Sequence, residues 1–160
     1  MTPEAHPSER KRAKLAEIFL LNPLQFEHYW PHIERLLDRD SSLWETYNTK
    51  ESIYEKVCDG QYQVWVVCDG EAGPITTVFF TEILQFEPER SLHLFWSYGV
   101  GALRAPECVE AAVQTFARRH DCGSLMLTGR RGWERALRPL GWQFESIVLR
   151  KQVEPHERRN

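Results

Sequence analysis

The chain lacks several features that would assign it to a class of protein at once. No apolar run approaches the roughly 20 residues needed to span a bilayer, and the first 15 residues contain no apolar core of the kind found in a signal peptide. Positive charge is not in excess, since 20 Lys and Arg against 23 Asp and Glu give a net charge of −3. This balance argues against a dedicated nucleic-acid binder. We therefore expect neither a membrane span nor signal-peptide secretion.

Cysteine is also scarce. The four cysteines, Cys58, Cys68, Cys108 and Cys122, form no C-x-x-C pair, and none has a histidine or cysteine neighbour at zinc-ligand spacing. We expect all four to be reduced and mostly buried, and we expect no metal site.

Aromatic residues, in contrast, are abundant. Six Trp, eight Phe and five Tyr in 160 residues are typical of a dense core or of a binding surface. A chain of this length forms one domain of ordinary size without needing a metal or a disulfide. Composition divides it into a polar, basic N-terminal tail at 1–14, a single domain at 15–153 and a polar C-terminal tail at 154–160.

The first half of the domain predicts helices followed by strands. The stretch "AEIFLLNP" fits either a strand or the start of a helix. Pro23 and Pro31 each suit the start of a helix, and Thr49 can cap the helix "KESIYEKVC", which Gly60 can end. Three runs of β-branched and aromatic residues then predict an antiparallel meander, at 62–68, 75–84 and 91–97. In the third run, alternation groups Trp96 with Leu92 and Leu94.

The second half predicts a crossover. A helix that begins at Pro106 and stops at Gly123 separates the strand at 91–97 from a buried strand at 124–129, so these two strands should be parallel and adjacent. A short helix, "WERALRPLG", and a last strand, "WQFESIVLRKQV" at 142–153, complete the order. The fold class is α/β (α+β), with a mixed sheet of about six strands, an antiparallel meander plus a parallel β-α-β crossover, and helices on both faces.

This order of elements resembles that of the GNAT superfamily, the acetyl-CoA-dependent N-acetyltransferases. "YQVWVVCDGE" and "ITTVFFTEIL" resemble the central hairpin, and "SLHLFWSYGVG" before a helix resembles the strand and pyrophosphate loop. "ERALRPLGWQF" is similar to the family ending A-x-x-L-Y-x-x-L-G-F. More narrowly, "GRRGWERALRPLGW" is similar to a divergent GNAT-like group encoded in bacteriophage genomes, whose members sit among virion and late-assembly proteins. The resemblance spans about 15–153.

The resemblance implies acetyl-CoA as the cofactor of an active protein, although the cofactor motif is only half present. The family pattern Q/R-x-x-G-x-G/A runs straight into a helix. Here Gly99, Val100 and Gly101 supply the glycine loop, but Trp96 replaces the basic or amide residue, and Pro106 predicts a helix start five residues later. The three loop residues are therefore candidates for cofactor binding, and the two glycines equally fit a simple turn after a strand.

Acyl transfer to an amine needs a base for the amine and an acid for the leaving thiolate. Leu137 stands where the resemblance implies a tyrosine acid. Tyr98 is the candidate substitute, with a packing role as the alternative. Glu82 is the candidate base if its strand face is apolar, and a solvated carboxylate at the edge is the alternative. His93, which shares a face with Phe95, is interpreted as a structural histidine.

The arginines of "GRRGWERALRPLGW" divide into two groups. Arg130 and Arg131 follow a buried strand, at the sheet end where α/β proteins bind ligands, and their guanidinium groups are candidates to clamp a phosphate of the cofactor. The later arginines, Arg135 and Arg138, lie on the polar face of the short helix with Glu134, where they are expected to be solvated or to form weak salt bridges. Trp133 and Trp142 are expected to pack against the sheet and close the fold.

Two functional hypotheses follow. The first is a GNAT-fold protein of phage type, a virion or assembly component with weak or lost catalysis, located in the host cytoplasm or the virion. Its partners would be other phage structural or assembly proteins, with no membrane, and nucleic acid is the least favoured partner. The second is an active acetyl-CoA-dependent N-acyltransferase.

Overall fold

The computed structural model of the chain describes residues 16–70, 73–99 and 101–155. The strands are β1 (Ala16–Leu20), β2 (Tyr62–Asp69), β3 (Ile75–Gln85), β4 (Arg90–Gly99) and β5 (Cys122–Leu127). The helices are α1 (Pro23–Arg39), α2 (Lys50–Cys58), α3 (Gly101–Arg104), α4 (Pro106–Arg119) and α5 (Arg131–Leu137), with 3-10 turns at Ser41–Leu43 and Arg138–Leu140. The predicted N-terminal tail, Val100 and residues 156–160 lie outside the described residues.

The described strands form one sheet in the order β1-β2-β3-β4-β5. The first four strands are antiparallel to their neighbours, and β5 is parallel to β4, to which α3 and α4 connect it. The predicted fold class, with its meander and its parallel crossover, is confirmed. The open choice at "AEIFLLNP" is resolved as a strand, because β1 pairs with β2 along its whole length.

Helices cover both faces of this sheet. Helices α1 and α2 pack on one face and form the first core, which includes Ile33, Ile53 and Phe80. Helices α4 and α5 pack on the other face and form the second core, which includes Val113 and Trp133. Each fully buried large apolar side chain contributes roughly 1.5–3 kcal/mol relative to its exposed state, so both faces stabilise the sheet. None of the helices within the described residues is long and apolar enough to cross a bilayer.

Helix α1 corrects the prediction of a helix start at Pro31. The helix begins at Pro23 and continues through Pro31. Asn22 fixes the earlier start, because its side chain accepts a hydrogen bond from the Gln25 N–H while the Gln25 side chain accepts one from the Asn22 N–H, both at 2.9 Å. Burial of the α1 side chains on the sheet offsets the hydrogen bond that Pro31 cannot donate. The predicted cap at Thr49 is confirmed, with the Ser52 N–H as its donor.

The predicted burial of the cysteines is wrong. All four are free thiols, but Cys58 is exposed and the other three are only half-buried. Each lies within three residues of the end of a helix or strand, where the helices and the sheet cover one another least. The predicted stop at Gly123 is also wrong, since α4 ends before His120 and Gly123 already lies inside β5.

The largest difference from the sequence prediction is at the C-terminus. Residues 142–155 contain no strand, so the described sheet has five strands rather than about six. Trp142 packs against the second core, as predicted. Beyond it the chain has no regular secondary structure up to residue 155, and its apolar side chains are exposed. The residue pattern suits a strand, but a strand forms only where a neighbouring strand pairs with it, and none of the described strands of the chain does.

Candidate functional site

A bulge in β4 reorganises the centre of the sheet. Two residues of β4, Trp96 and Ser97, stand opposite the single residue Phe79 of β3. Trp96 has a φ of 41°, which is uncommon for a bulky residue. The extra residue reverses the alternation, so Trp96 packs beside Phe95 at the first core. The prediction that grouped Trp96 with Leu94 is therefore wrong.

Strands β4 and β5 separate near this bulge. Their parallel pairing ends where Leu94 faces Leu127, and the Thr128 N–H makes a last hydrogen bond of 3.0 Å to the Leu94 carbonyl. The rest of β4, Phe95–Gly99, has no pairing with β5. The carboxyl ends of the two parallel strands thus open a cleft, which is where open α/β sheets bind ligands.

Side chains fill most of this cleft. Its walls include Phe79, Phe95, Ser97, Thr128 and Trp133, and the remaining cavity of about 10 Å³ has space for roughly one water. Trp133, only 7% exposed, closes the cleft from α5, which agrees with its predicted packing role. The Ser97 hydroxyl is buried and has no hydrogen-bond partner among the described residues.

A line of three hydrogen-bonded side chains crosses the strands beside the cleft. Glu82 on β3 faces His93 on β4, and the Glu82 Oε1 lies 3.0 Å from the His93 Nδ1. The His93 Nε2 lies 2.7 Å from the Thr128 Oγ1. When Nδ1–H donates to the carboxylate, the neutral imidazole accepts the Thr128 hydroxyl proton at Nε2. A carboxylate that holds a histidine in this way is the usual arrangement for orienting a base.

The surroundings leave this line open to solvent at its edges. The His93 ring stacks on Phe95 with centroids 5.3 Å apart, and the His93 and Glu82 side chains are 16% and 26% exposed. The predicted face for His93 is confirmed by that stacking. The role of Glu82 as a base stays a prediction. Sequence reasoning missed both the pairing of Glu82 with His93 and the contact between His93 and Thr128.

Tyr98 lies on the same face but apart from this line. It pairs with Val78, four residues along β3 from Glu82, which is about 13 Å of strand. Its side chain is buried, and its hydroxyl has no hydrogen-bond partner among the described residues. Burial, and then the charge of Asp40, raise the pKa of Tyr98. A phenol that holds its proton more firmly is a weaker acid for a leaving thiolate, so the structure brings Tyr98 and Glu82 into no common site.

The glycine loop is tied to the neighbouring strand β3. Gly99 has a φ of 100°, and a Cβ at this position would collide with the Thr76 carbonyl. The buried Ala102 N–H donates to the Thr77 Oγ1 at 3.0 Å. The predicted helix start at Pro106 is confirmed by α4, and the short helical turn α3, which the sequence analysis did not predict, fills the interval from Gly101 to Arg104. Cofactor binding by Gly99, Val100 and Gly101 stays a prediction, and Val100 lies outside the described residues.

The arginine pair stands at the start of α5. Arg130 Nη2 lies 3.0 Å from the Asp40 Oδ2, which joins α5 to the end of α1, and the Arg130 side chain is 81% exposed. Arg131 begins α5 and is exposed. Arg138 pairs with Glu134 at 2.6 Å on the exposed face of the helix, as the pattern predicts. An exposed pair of this kind contributes about 0–1 kcal/mol. Binding of a phosphate by Arg130 and Arg131 stays a prediction.

No metal centre is visible in the part of the chain that the structure describes, where no three His, Cys, Asp or Glu side chains gather in a position to hold an ion. The chemistry that the described residues can supply near the cleft is that of the Glu82 carboxylate, the His93 imidazole and the hydroxyls of Ser97 and Thr128.

Comparison with known proteins shows which known fold the chain has. No family model and no curated protein matches the chain. Solved structures do match. An aminoglycoside acetyltransferase from an uncultured soil metagenomic sample has a TM-score of 0.61 and 15% identity, with 88% of this chain and 99% of that one covered. A predicted acetyltransferase with acetyl-CoA from Clostridium acetobutylicum has a TM-score of 0.58 and 11% identity, covering 86% and 96%. A GNAT family acetyltransferase from Staphylococcus aureus has a TM-score of 0.52 and 13% identity, covering 86% and 98%. With its meander, its bulged β4 and its splayed β4–β5 pair, the chain has the fold of the GNAT acetyltransferases.

Proposed function

We propose that this chain is a GNAT-fold protein of bacteriophage type that acts in assembly or in the virion, through contacts with other phage structural proteins, with weak or lost catalysis. The observation that carries the proposal is the filled cleft between β4 and β5. The cavity left beside Trp133 holds about one water, which is far too little for the arm of an acyl cofactor.

Two further features support weak catalysis. Leu137, in the position where the resemblance implies a tyrosine acid, is 4% exposed and packs in the second core. The Ala102 N–H, at the loop that would bind a pyrophosphate, already donates to Thr77. The phage setting rests on the similarity of "GRRGWERALRPLGW" to the phage-encoded group.

A thermal-shift titration with acetyl-CoA, CoA and a nucleotide as the control tests the loss of cofactor binding. A ligand at 100 times its Kd stabilises a protein by about 2.7 kcal/mol, which raises the Tm of a chain of this length by roughly 5–11 °C. We expect no shift at millimolar acetyl-CoA. A shift with CoA compounds alone would contradict the proposal.

The assembly role has its own test. We expect mass spectrometry of purified particles of the phage that encodes the chain, or co-purification with late phage proteins, to detect it. Absence from the particles, together with no stable complex with any late protein, would overturn this part of the proposal whatever the titration shows.

The line from Glu82 through His93 to Thr128 favours a second candidate, an active acetyl-CoA-dependent N-acyltransferase. In this function the Thr128 hydroxyl takes the proton of the amine and passes its own proton to the His93 Nε2, while Glu82 holds the Nδ1–H of His93. Loss of a positioned base lowers turnover by about 10²–10⁴-fold, so His93→Gln and Glu82→Gln should both lower kcat. Thr115→Val, on the exposed face of α4, is the control.

Aminoglycosides are the first amines to test, because one structural neighbour is an aminoglycoside acetyltransferase. Equal turnover in wild type and both site variants would exclude the line from catalysis.

A further inference from the structure

Thr128 lies in the connection between β5 and α5. Strand β5 ends at Leu127, α5 begins at Arg131, and Thr128 is exposed to solvent between them. A strand-to-helix turn at the edge of a sheet is also where α/β-hydrolases hold their nucleophilic hydroxyl. Because Thr128 is exposed, a small molecule reaches its hydroxyl from solvent without passing through the cleft that Trp133 closes.

The Thr128 hydroxyl is the last member of an ordered series of carboxylate, imidazole and hydroxyl. The Glu82 Oε1 lies 3.0 Å from the His93 Nδ1, and the His93 Nε2 lies 2.7 Å from the Thr128 Oγ1. Stacking on Phe95 holds the imidazole in its plane. These are the contacts of a hydrolase triad, in which the carboxylate orients the histidine and the histidine takes the proton of the attacking hydroxyl.

Donors for the negative charge that develops on an acyl oxygen lie close to Thr128 in the fold. The Gly129 N–H makes no hydrogen bond with another described residue, and the N–H of the residue after the nucleophile is a common oxyanion donor. The Ser97 hydroxyl lines the same cavity as Thr128 and is buried without a partner among the described residues. An acyl oxygen beside Thr128 would give both groups an acceptor.

The cavity beside Thr128 limits the size of the acyl group. Its apolar walls include Phe79, Leu127 and Trp133, and its volume is about 10 Å³, the space of roughly one water. An acetyl group places only a methyl group against these walls, whereas a longer acyl chain would have to displace Trp133. The structure therefore favours acetyl esters over esters of longer acids.

We propose that Thr128 is the nucleophile of an esterase activity toward small activated acetyl esters, with His93 as the base and Glu82 as a positioning residue. In the first step the Thr128 Oγ1 bonds to the acyl carbon and its proton passes to the His93 Nε2. The ester C–O bond then breaks, and the leaving alcohol takes that proton.

Water completes the reaction in a second step. It attacks the acyl carbon and gives a proton to the His93 Nε2, and the Thr128 Oγ1 leaves with that proton. Acetic acid is released and the side chain is restored, so the balance is one ester and one water converted into one acid and one alcohol. The inference does not rest on the proposed function, since no acyl cofactor takes part.

The acetylated protein is the first species to detect. The full chain with Cys58→Ser, which removes the exposed thiol, is mixed with p-nitrophenyl acetate and quenched in acid. We expect a burst of nitrophenolate and one added acetyl group, which tandem mass spectrometry places on Thr128. Thr128→Val should lose both, and Thr128→Ser, which keeps a hydroxyl, should retain both. Thr115→Val, on the exposed face of α4, is the matched control and should change neither.

The other two members of the series have separate readouts. His93→Gln and Glu82→Gln should each slow acetylation of Thr128 by about 10²–10⁴-fold. Because Glu82 acts through His93, its replacement should lower the rate at saturating ester and leave the KM nearly unchanged. Added imidazole should restore acetylation of Thr128 in His93→Ala, which a purely structural role of His93 does not predict. Circular dichroism and thermal unfolding verify that the variants stay folded.

The length of the acyl chain tests the cavity. We expect p-nitrophenyl octanoate to acylate Thr128 far more slowly than p-nitrophenyl acetate. The absence of a burst, an acetyl group located away from Thr128, or an adduct that Thr128→Val leaves in place would each overturn the inference. None of these results depends on the titration with acetyl-CoA, which measures binding in the cleft and not acylation of Thr128.

Discussion

The substitution Tyr98→Phe measures how much a buried hydroxyl without a hydrogen-bond partner lowers the free energy of unfolding. The Tyr98 side chain is 9% exposed, and its oxygen has no hydrogen-bond partner among the described residues. A buried hydroxyl without a partner costs about 1–3 kcal/mol, and the void left by one oxygen atom costs less than about 1 kcal/mol. We therefore expect the free energy of unfolding to rise by about 1 kcal/mol, which raises the Tm by roughly 2–4 °C.

Urea denaturation followed by tryptophan fluorescence measures this change. Tyr54→Phe is the matched control, because the Tyr54 hydroxyl lies 3.4 Å from the Glu27 carboxylate at the surface, and its removal should change the free energy of unfolding by less than about 0.5 kcal/mol. A loss of about 1 kcal/mol or more in Tyr98→Phe would refute the reasoning, since such a loss arises only when a buried hydrogen bond is removed.

The Tyr98 hydroxyl also predicts how the stability of the fold changes with pH. Burial, and then the Asp40 charge, raise the pKa of Tyr98 above the ordinary value of 10.0. The folded chain thus keeps the proton in a range where the unfolded chain loses it. This contribution to stability is complete below about pH 10 and is lost as the pH rises further. The advantage of Tyr98→Phe over wild type should grow above about pH 10, and a constant difference between the two would contradict the assignment.

Three further substitutions test local features of the fold by urea denaturation. Gly99→Ala should lower the free energy of unfolding by about 2–4 kcal/mol, because φ is 100° and the new Cβ meets the Thr76 backbone; a smaller loss than 1 kcal/mol would mean that the loop shifts freely. Asn22→Ala should cost about 1 kcal/mol through loss of the α1 cap, and no change would show that the cap is dispensable. Arg130→Ala should cost less than about 1 kcal/mol, since its pair with Asp40 is exposed, and a larger loss would indicate a buried role.

Local sequence signals accounted for most of the fold. The cap at Thr49, the β-branched runs and the start of α4 at Pro106 each depend on residues close together in the chain, and these elements formed as predicted. The crossover followed from the order of elements, because a β-α-β connection places its two strands in parallel. The bulge at Trp96 had no such signal, since whether a strand gains an unpaired residue depends on the strand beside it.

The C-terminal segment shows the same limit, because here a strand was predicted and did not form. Its residues have the composition of a strand, and sequence reasoning predicted one, yet composition does not supply a neighbour for the backbone to pair with. An isolated extended segment gains no hydrogen bonds to compensate for the entropy of ordering it. The propensity of residues 143–153 therefore describes what this segment can form, and a strand also requires a neighbouring strand with which its backbone can pair.

The sequence did contain a signal for the contact between Glu82 and His93, although alternation alone did not reveal it. Sequence alternation gave each residue a face of its strand, but a face alone does not say which residue lies opposite. The hairpin loop supplies that information: Gln85 pairs with Arg90, and the Phe86 N–H donates to the Glu89 carbonyl at 3.0 Å. Once the loop is fixed at 86–89, counting back along both strands puts Glu82 opposite His93, and the bulge comes only beyond this pair. The acidic, proline-containing loop "FEPE" was thus the one local signal from which the pair could have been found, because in a hairpin the length of the loop sets the register of every residue before the first bulge.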